Sequence, residues 1–206
     1  MDLVHNKHII ELGKILYKIG ERIEGNLICD IHPSNFVINR NINKIKNLRY
    51  LCKNKTKICE IGINACHSLL IMLLENPNAE YVLFDLNNHR YTQPCLDYIR
   101  GEFPNTKITS IFGNSSETLR DYLKNDNVLK TFDFCHIDGC HFEQVFREDF
   151  YNVKKLSKDN ADILFDDYDY IDIKRFIDSK VSLGEIQQIM DDNLIKTNLH
   201  FFYRYN

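Results

Sequence analysis

The chain has 206 residues, of which 44% are hydrophobic and 12% aromatic, enough to bury the core of one domain. Its formal net charge of -3 excludes the strongly basic balance typical of nucleic-acid or anionic-membrane binding, so small or neutral partners are favoured. Charges interrupt the apolar positions of the N-terminal stretch, which predicts a cytoplasmic protein without a signal peptide or membrane span. Seven cysteines without a CxxC pair predict reduced, mostly buried thiols.

Residues 1–55 differ from the rest of the chain and predict an N-terminal helical extension, with helices at about 8 to 18 and 41 to 53. The second helix carries apolar residues at helical spacing, with basic residues between them. The apolar positions are Ile42, Ile45, Leu48 and Leu51, and the basic ones are Lys44, Lys46, Arg49 and Lys53. This pattern predicts a basic face exposed to solvent, and contact with a phosphate-bearing acceptor is the alternative.

From residue 56 onward, short apolar runs alternate with helical patterns. The predicted strands are "KICEIG", "YVLFDL", "KITSIF", "FDFCHI" and "ADILFDD". In the helix after the fourth strand, the stripe predicted to be buried comprises Phe142, Val145, Phe146, Phe150, Val153 and Leu156. The late segments "EIQQIM" and "LHFFYRYN" predict an antiparallel hairpin, and the aromatic residues at its end predict a core or a subunit contact, as in a homodimer.

Five strand-helix units require an α/β fold with a mostly parallel sheet that helices cover on both faces. In such sheets, ligands bind beyond the carboxyl ends of the strands. Every predicted strand is followed there by polar residues or glycine. These are Glu60 to Gly62, Asp85, Gly113 to Ser115, Asp138 to His141, and Asp166 with Asp167. Their shared position predicts one functional site along this edge of the sheet.

The turn after the first strand, "EIGINACHS", argues against a bound pyrophosphate. A dinucleotide-binding turn needs glycine at positions 62, 64 and 67, and only Gly62 complies. Asn64 can adopt a left-handed conformation, and Ala65 leaves space for a ligand. Asp85, at the end of the second strand, is suited to hold two ribose hydroxyls. Together these residues predict an adenosine-containing ligand without phosphates.

The segments "EIGINACHS", "FDL", "FGNSSETL", "FDFCHIDGCHFEQV" and "ILFDDYDY" resemble the successive motifs of class I S-adenosylmethionine (SAM)-dependent methyltransferases. Within that class they are similar to the branch that contains macrolide-sugar O-methyltransferases and cephalosporin-hydroxylase-like proteins. The resemblance implies a Rossmann-like sheet of seven strands in the order 3-2-1-4-5-7-6, with strand 7 antiparallel. The resemblance covers about residues 48 to 206, and we predict a methyltransferase core domain at 56–206 after the extension at 1–55.

The same resemblance implies roles for individual residues. The methionine part of SAM would be held by Glu60, Gly62, Ile63, Asn64, Ala65, His67 and Ser68. Asp85 and Leu86 would contact the ribose, Asn114 and Ser115 would lie near the adenine, and Asp138 would border the cofactor. Asp138, Asp166 and Asp167 would bind a divalent cation, and His141 would be the catalytic base. Positions 64 and 66, where the family has glycine, are Asn and Cys in this chain.

A physical argument supports the cation. Adjacent strands lie about 4.8 Å apart, so Asp138 and Asp166 at equivalent heights would repel each other unless a cation joined them. Oxygen ligands favour magnesium, manganese or calcium over zinc. Cys140 and His136 lie near enough in sequence to leave zinc as an alternative, and a site without metal is another.

Methyl transfer to oxygen requires a hydroxyl that is aligned with the sulfonium methyl group and that loses its proton. A cation between Asp138 and Asp166 would lower the pKa of that hydroxyl, and His141 would take the proton. Gly139 allows the sharp turn that directs these groups to one point. The sequence therefore predicts O-methylation of a small-molecule or sugar hydroxyl.

Three other functions remain open at the level of sequence. A methyltransferase-fold scaffold without turnover is compatible with the altered glycine turn. Methylation of RNA or of an RNA cap is favoured only by the basic helix at about 44 to 57. A nicotinamide-dependent oxidoreductase is the least favoured, because the glycine pattern of the first turn does not fit it.

Overall fold

The structure is a computed structural model that describes residues 6–24, 42–167, 169–197 and 200–206. The prediction of a reduced thiol at Cys29 lies outside these residues. Of the other six cysteines, all free, five are buried as predicted and Cys140 is exposed. None of the helices in the described ranges is long and apolar enough to cross a membrane.

The described residues form helices and strands close to the predicted positions. The helices are α1 (Lys7–Ile19), α2 (Ile42–Cys52), α3 (His67–Glu75), α4 (Thr92–Glu102), α5 (Ser115–Tyr122), α6 (Glu143–Leu156) and α7 (Ile171–Ser182). The strands are β1 (Lys57–Ile61), β2 (Glu80–Asp85), β3 (Ile108–Phe112), β4 (Phe132–Ile137), β5 (Ser157–Phe165), β6 (Ile186–Gln188) and β7 (Phe201–Tyr205). A short 3-10 helix, Asp126–Val128, precedes β4.

The seven strands form one sheet in the order β3-β2-β1-β4-β5-β7-β6. Strands β1 to β5 are parallel to one another, whereas β7 runs antiparallel to both β5 and β6. The predicted fold class and strand order are confirmed. Because the chain passes from β1 to β2 on one side and places β4 on the other, a topological switch point lies between β1 and β4.

The register brings the carboxyl ends of three strands to the same height. Ile61 pairs with Ile137 across β1 and β4, and Ile137 pairs with Phe165 across β4 and β5. Beyond these pairs, the Asp138 N–H donates to the Ile61 carbonyl (2.9 Å), and the Asp166 N–H donates to the Ile137 carbonyl (3.0 Å). The residues that follow the three strands therefore meet at one edge of the sheet.

Helices cover both faces of the sheet. One buried cluster joins α1, α2, α3 and α4 to one face, and a second joins α5, α6 and α7 to the other. Leu12 of α1 and Leu48 of α2 are fully buried in the first cluster together with Leu69 of α3. The helices of the predicted extension thus contribute to the same core as the sheet, while its boundary at residue 55 stays a prediction.

The prediction that Phe142 belongs to the buried stripe of α6 is wrong, because its side chain is 79% exposed. Phe142 is the N-cap of α6 and has extended backbone angles (φ -70°, ψ 124°), so it does not share the helical periodicity of Phe146 and Phe150. Those two side chains are buried, as predicted. The aromatic end of the chain is also buried, with Tyr203 and Tyr205 of β7 in the core, while the homodimer stays a prediction.

Candidate active site

The turn after β1 is held against the loop after β4 by a very close approach of their backbones. Gly62 has φ +84°, and a Cβ at this position would lie 2.7 Å from the carbonyl carbon of Asp138 and still closer to its oxygen. No side chain fits into that space, so glycine is required there. The Gly62 N–H donates to the Phe84 carbonyl of β2 (2.8 Å), which ties the same turn to the second strand.

Two residues in the rest of this turn have a left-handed backbone conformation. Asn64 has φ +46° and Cys66 has φ +61°, both in the left-handed region. The predicted left-handed conformation of Asn64 is therefore confirmed. The side chains of Ile63, Ala65 and His67 are buried, so contacts from this turn to a ligand would come from its main chain. Burial lowers the pKa of His67 to about 4.

Asp85 braces the turn from the end of β2. One carboxylate oxygen, Oδ2, accepts hydrogen bonds from the N–H groups of Ile63 (2.8 Å) and Asn64 (3.1 Å). The other, Oδ1, accepts one from the Asn87 N–H (2.7 Å). A carboxylate oxygen can accept two hydrogen bonds, so Oδ1 keeps capacity for a ribose hydroxyl. Leu86 follows directly and is 59% exposed.

Glu60 is fully buried and pairs with the equally buried His136 on β4, with 2.9 Å between Oε1 and Nδ1. Their proximity follows from the register, in which Glu60 and His136 are direct partners across β1 and β4. The second carboxylate oxygen of Glu60 and Nε2 of His136 have no hydrogen-bond partner among the described residues. Glu60 therefore retains one acceptor atom for the predicted cofactor role.

On the other side of the sheet edge, Asn114 and Ser115 begin α5. Asn114 is the N-cap, and its side-chain oxygen accepts from the Ser116 N–H (3.1 Å). The Ser115 hydroxyl donates to Oδ2 of Asp149 on α6 (3.0 Å). Asp149 is only 1% exposed, and burial raises the pKa of its carboxyl to about 7. Sequence reasoning missed Asp149, although a carboxylate between Phe146 and Phe150 interrupts the apolar face of α6.

The acidic residues after β4 and β5 form a compact group with a histidine. Potential ligand atoms of His136, Asp138 and Asp166 all lie within 4.8 Å of one another. The predicted pairing of Asp138 with Asp166 is therefore present, and these oxygen atoms are of the kind that hard cations prefer. Asp167 does not belong to this group.

Lys44 of α2 lies against the same group, so the prediction that it faces solvent is wrong. Its side chain is buried, and its ammonium forms an ion pair with Oδ2 of Asp166. The same Nζ lies 3.7 Å from Oδ2 of Asp138. Lys46, two residues further on, is exposed as predicted.

Lys44 turns inward because α2 is covered on more than one side. The apolar residues of α2 pack in the core cluster, whereas Asn47 contacts the connection between β6 and β7. The Asn47 amide donates to the Ile195 carbonyl (2.7 Å) and accepts from the Ile195 N–H (2.8 Å). It also bonds Nε2 of the buried His200 (2.8 Å). The helical pattern of the sequence indicates only one of these covered sides.

The position of Lys44 does not fit a divalent cation held by Asp138 and Asp166. An ammonium and a divalent cation repel each other strongly at such distances, particularly where little water screens them. The oxygen ligands match the predicted cation, but their charge is already compensated by a residue of the chain. The charge of Asp138 and Asp166 therefore does not require a metal ion.

His141 lies beside this group and has its own carboxylate partner. Its Nε2 is 2.7 Å from Oδ2 of Asp167, the residue that was predicted to be a cation ligand. The hydrogen bond to Asp167 is the largest influence on His141 and raises its pKa, against the opposing effect of burial. The ring also packs on Tyr170, with 4.5 Å between the ring centroids. His141 remains 43% exposed and thus accessible to a substrate.

The strand order, the tight turn at Gly62 and the acid at the end of β2 define a Rossmann-like methyltransferase fold. The family model described as "Methyltransferase domain" matches residues 59–168, more than half of the chain. The chain belongs to this methyltransferase family, and the predicted resemblance to class I methyltransferases is confirmed. No curated protein sequence matches the chain.

Solved methyltransferase structures share the fold. One is the O-methyltransferase TomG from Streptomyces achromogenes, which is involved in tomaymycin synthesis and was solved in complex with SAM. It is similar to this chain with a TM-score of 0.67 at 13% identity, and the match covers 97% of this chain and 88% of TomG. An O-methyltransferase from Bacillus cereus in complex with S-adenosylhomocysteine (SAH) has a TM-score of 0.62 at 15% identity, with coverages of 99% and 93%. A methyltransferase from Geobacter sulfurreducens has a TM-score of 0.64 at 8% identity, with coverages of 98% and 89%.

Proposed function

We propose that the protein transfers the methyl group of SAM to a hydroxyl of a small molecule or sugar. The observation that carries this proposal is the convergence of the tight turn at Gly62, the Asp138 loop and the His141–Asp167 pair at one edge of the sheet. Membership of the methyltransferase family supports the reaction class. Structural neighbours that contain SAM or SAH support the choice of cofactor.

The cofactor would lie over the ends of β1 and β2. Main-chain groups of the turn after Gly62 would face its methionine part, Asp85 would accept from the ribose, and Asn114 and Ser115 would border the adenine. A turn closed by left-handed Asn and Cys residues, without further glycines, suits a ligand that carries no pyrophosphate. The net charge of -3 favours a small acceptor over a nucleic acid.

His141 would act as the general base. Asp167 holds Nε2, which leaves Nδ1 to accept the proton of the acceptor hydroxyl. As that proton moves to His141, the acceptor oxygen forms a bond to the methyl carbon and the bond from carbon to sulfur breaks. The products are the methyl ether, SAH and a protonated histidine, whose charge the Asp167 carboxylate stabilises.

The structure bears differently on the other functions and properties that the sequence predicts. RNA methylation was favoured only by a basic face of α2, and Lys44, one of the three lysine and arginine residues in this helix, is buried against acidic groups. We therefore do not propose it. A cytoplasmic location and a homodimer remain predictions, and metal assistance does not fit the position of Lys44.

The test combines SAM binding with turnover on a panel of hydroxyl-bearing acceptors. His141→Ala should lower kcat by about a hundredfold or more, as expected for loss of a general base, while the Kd for SAM stays within about twofold. Gln144→Ala, an exposed change on the first turn of α6, is the control and should leave both unchanged. An equal loss of SAM binding in His141→Ala would make His141 structural. A wild-type protein that does not bind SAM would instead support the scaffold alternative.

A further inference from the structure

We propose that Lys44 is a resident cation of the acceptor site and takes the position that a divalent metal would occupy between Asp138 and Asp166. Its ammonium would hold the two carboxylates in place, so that the site is assembled without a metal. The catalytic consequence, methyl transfer that does not need a divalent cation, rests on the proposed function. The electrostatic role of Lys44 can be tested independently of the proposed function.

The contacts of the ammonium carry this inference. Nζ of Lys44 is ion-paired with Asp166 and lies 3.7 Å from Asp138, so it bridges the residues that follow β5 and β4. The main-chain N–H groups of Asp138 and Asp166 donate to the neighbouring strands, which fixes the positions from which the two side chains extend. Without a cation, two carboxylates at this spacing would repel each other. Lys44 removes that repulsion with a group that the chain itself supplies.

Lys44 is held in this position by its helix. Ile45 and Leu48, its neighbours on α2, are 2% and 0% exposed, and Asn47 forms two hydrogen bonds with the main chain of Ile195. The Lys44 side chain itself is only 10% exposed. It therefore differs from a mobile surface lysine that happens to approach a carboxylate.

The surroundings of the ammonium agree with this role. His200 is buried nearby, and its pKa is lowered to about 3, mainly by burial and then by the charges of Lys44 and His136. His200 is therefore neutral at physiological pH and does not compete for the carboxylates. A metal entering this group would have to displace Lys44 and leave a buried ammonium without its partners, which is strongly unfavourable.

Binding of Mn²⁺, measured by calorimetry and by electron paramagnetic resonance, tests the proposal directly. Lys44→Met removes the charge at similar length and should bind Mn²⁺ at least about tenfold more tightly than the wild type. Lys46→Met, an exposed change on the same helix, should bind Mn²⁺ as weakly as the wild type does. Adding Asp166→Asn to Lys44→Met should abolish the gain. Wild-type protein that binds Mn²⁺ as tightly as Lys44→Met would overturn the proposal.

A second measurement uses the wild-type protein, in case Lys44→Met does not fold. Acetic anhydride labelling followed by mass spectrometry should modify Lys44 about tenfold or more slowly than the exposed Lys46. Addition of Mn²⁺ should leave the rate at Lys44 unchanged. If Mn²⁺ raises that rate, the metal displaces the lysine and the proposal is wrong.

These readouts separate the two proposals. Neither Mn²⁺ binding nor labelling requires methyl transfer, so the role of Lys44 stands or falls independently of turnover. If the wild type does not bind SAM, the proposed function is refuted while the Mn²⁺ result is unaffected. If methyl transfer occurs only after a divalent metal is added, the proposal for Lys44 fails while the proposed reaction survives.

Discussion

Asp149 makes the stability of the protein depend on pH in a way that one substitution can remove. Its carboxyl lies on α6 with 1% exposure, and Ser115 supplies one hydrogen bond at 3.0 Å. The other carboxyl oxygen has no partner within the described part of the chain. Burial therefore raises its pKa from an ordinary value of 3.8 to about 7. Asp149→Asn keeps the shape of the side chain but cannot ionise.

The sign and size of the effect follow from the two pKa values. A carboxyl whose pKa is raised by folding contributes most stability below the unfolded pKa and loses that contribution as pH rises through the folded pKa. Between pH 5 and about 7, the unfolded chain has released this proton while the folded chain still holds it. Each pH unit then lowers the free energy of unfolding by about 1.4 kcal/mol, so the loss is about 3 kcal/mol by pH 8.5.

Urea unfolding at pH 5, 6, 7 and 8.5 measures this loss. The free energy of unfolding of the wild type should fall relative to that of Asp149→Asn by about 3 kcal/mol between pH 5 and pH 8.5. Asp159→Asn is the matched control, because that carboxylate is 74% exposed and should leave the pH dependence unchanged. Parallel curves for the wild type and Asp149→Asn would show that Asp149 is ionised in the folded state and that the reasoning is wrong.

Two further predictions concern the edge of the sheet. Gly62→Ala should lower the free energy of unfolding in urea by about 2 to 4 kcal/mol, because a Cβ at φ +84° overlaps the backbone of Asp138. Gly101→Ala is the control, because this helical position has open space around the new Cβ, and it should raise the free energy of unfolding by about 0.5 to 1 kcal/mol. Equal effects of the two changes would contradict the close approach. Asp167→Asn should lower the pKa of His141 and move the acid limb of kcat/KM to lower pH, since the base is active when neutral. An unmoved limb would mean that His141 does not act as the base.

Much of the fold and part of the site could be predicted because both depend on local pattern and on the geometry of parallel sheets. Apolar runs that end in Gly62, Asp85, Asp138 and Asp166 identify strands and, with them, the edge where their carboxyl ends meet. The left-handed turn at Asn64 was also predictable, since asparagine tolerates positive φ better than most residues.

The errors arise where a side chain's surroundings depend on elements distant in the sequence. Lys44 lies on the polar side of a helical pattern, yet the orientation of α2 against the sheet turns it toward Asp166, 122 residues away. For Asp149, the apolar face of α6 indicates burial, but only the assembled layers show that its hydrogen-bond partner is Ser115 of α5. The prediction that Phe142 is buried was wrong for a local reason, because a residue that caps a helix does not follow the periodicity of that helix.

Lys44 lies outside the segment that matches the methyltransferase family, so the charges at this edge come from two parts of the chain. The match to the methyltransferase family spans residues 59–168, which contain Asp138, Asp166 and the His141–Asp167 pair but not α2. The carboxylates lie within that segment, whereas the ammonium that compensates their charge comes from a helix that precedes it. In this chain, α2 packs with the Lys44 ammonium facing that edge, so the charge there depends on the packing of a helix outside the matched segment.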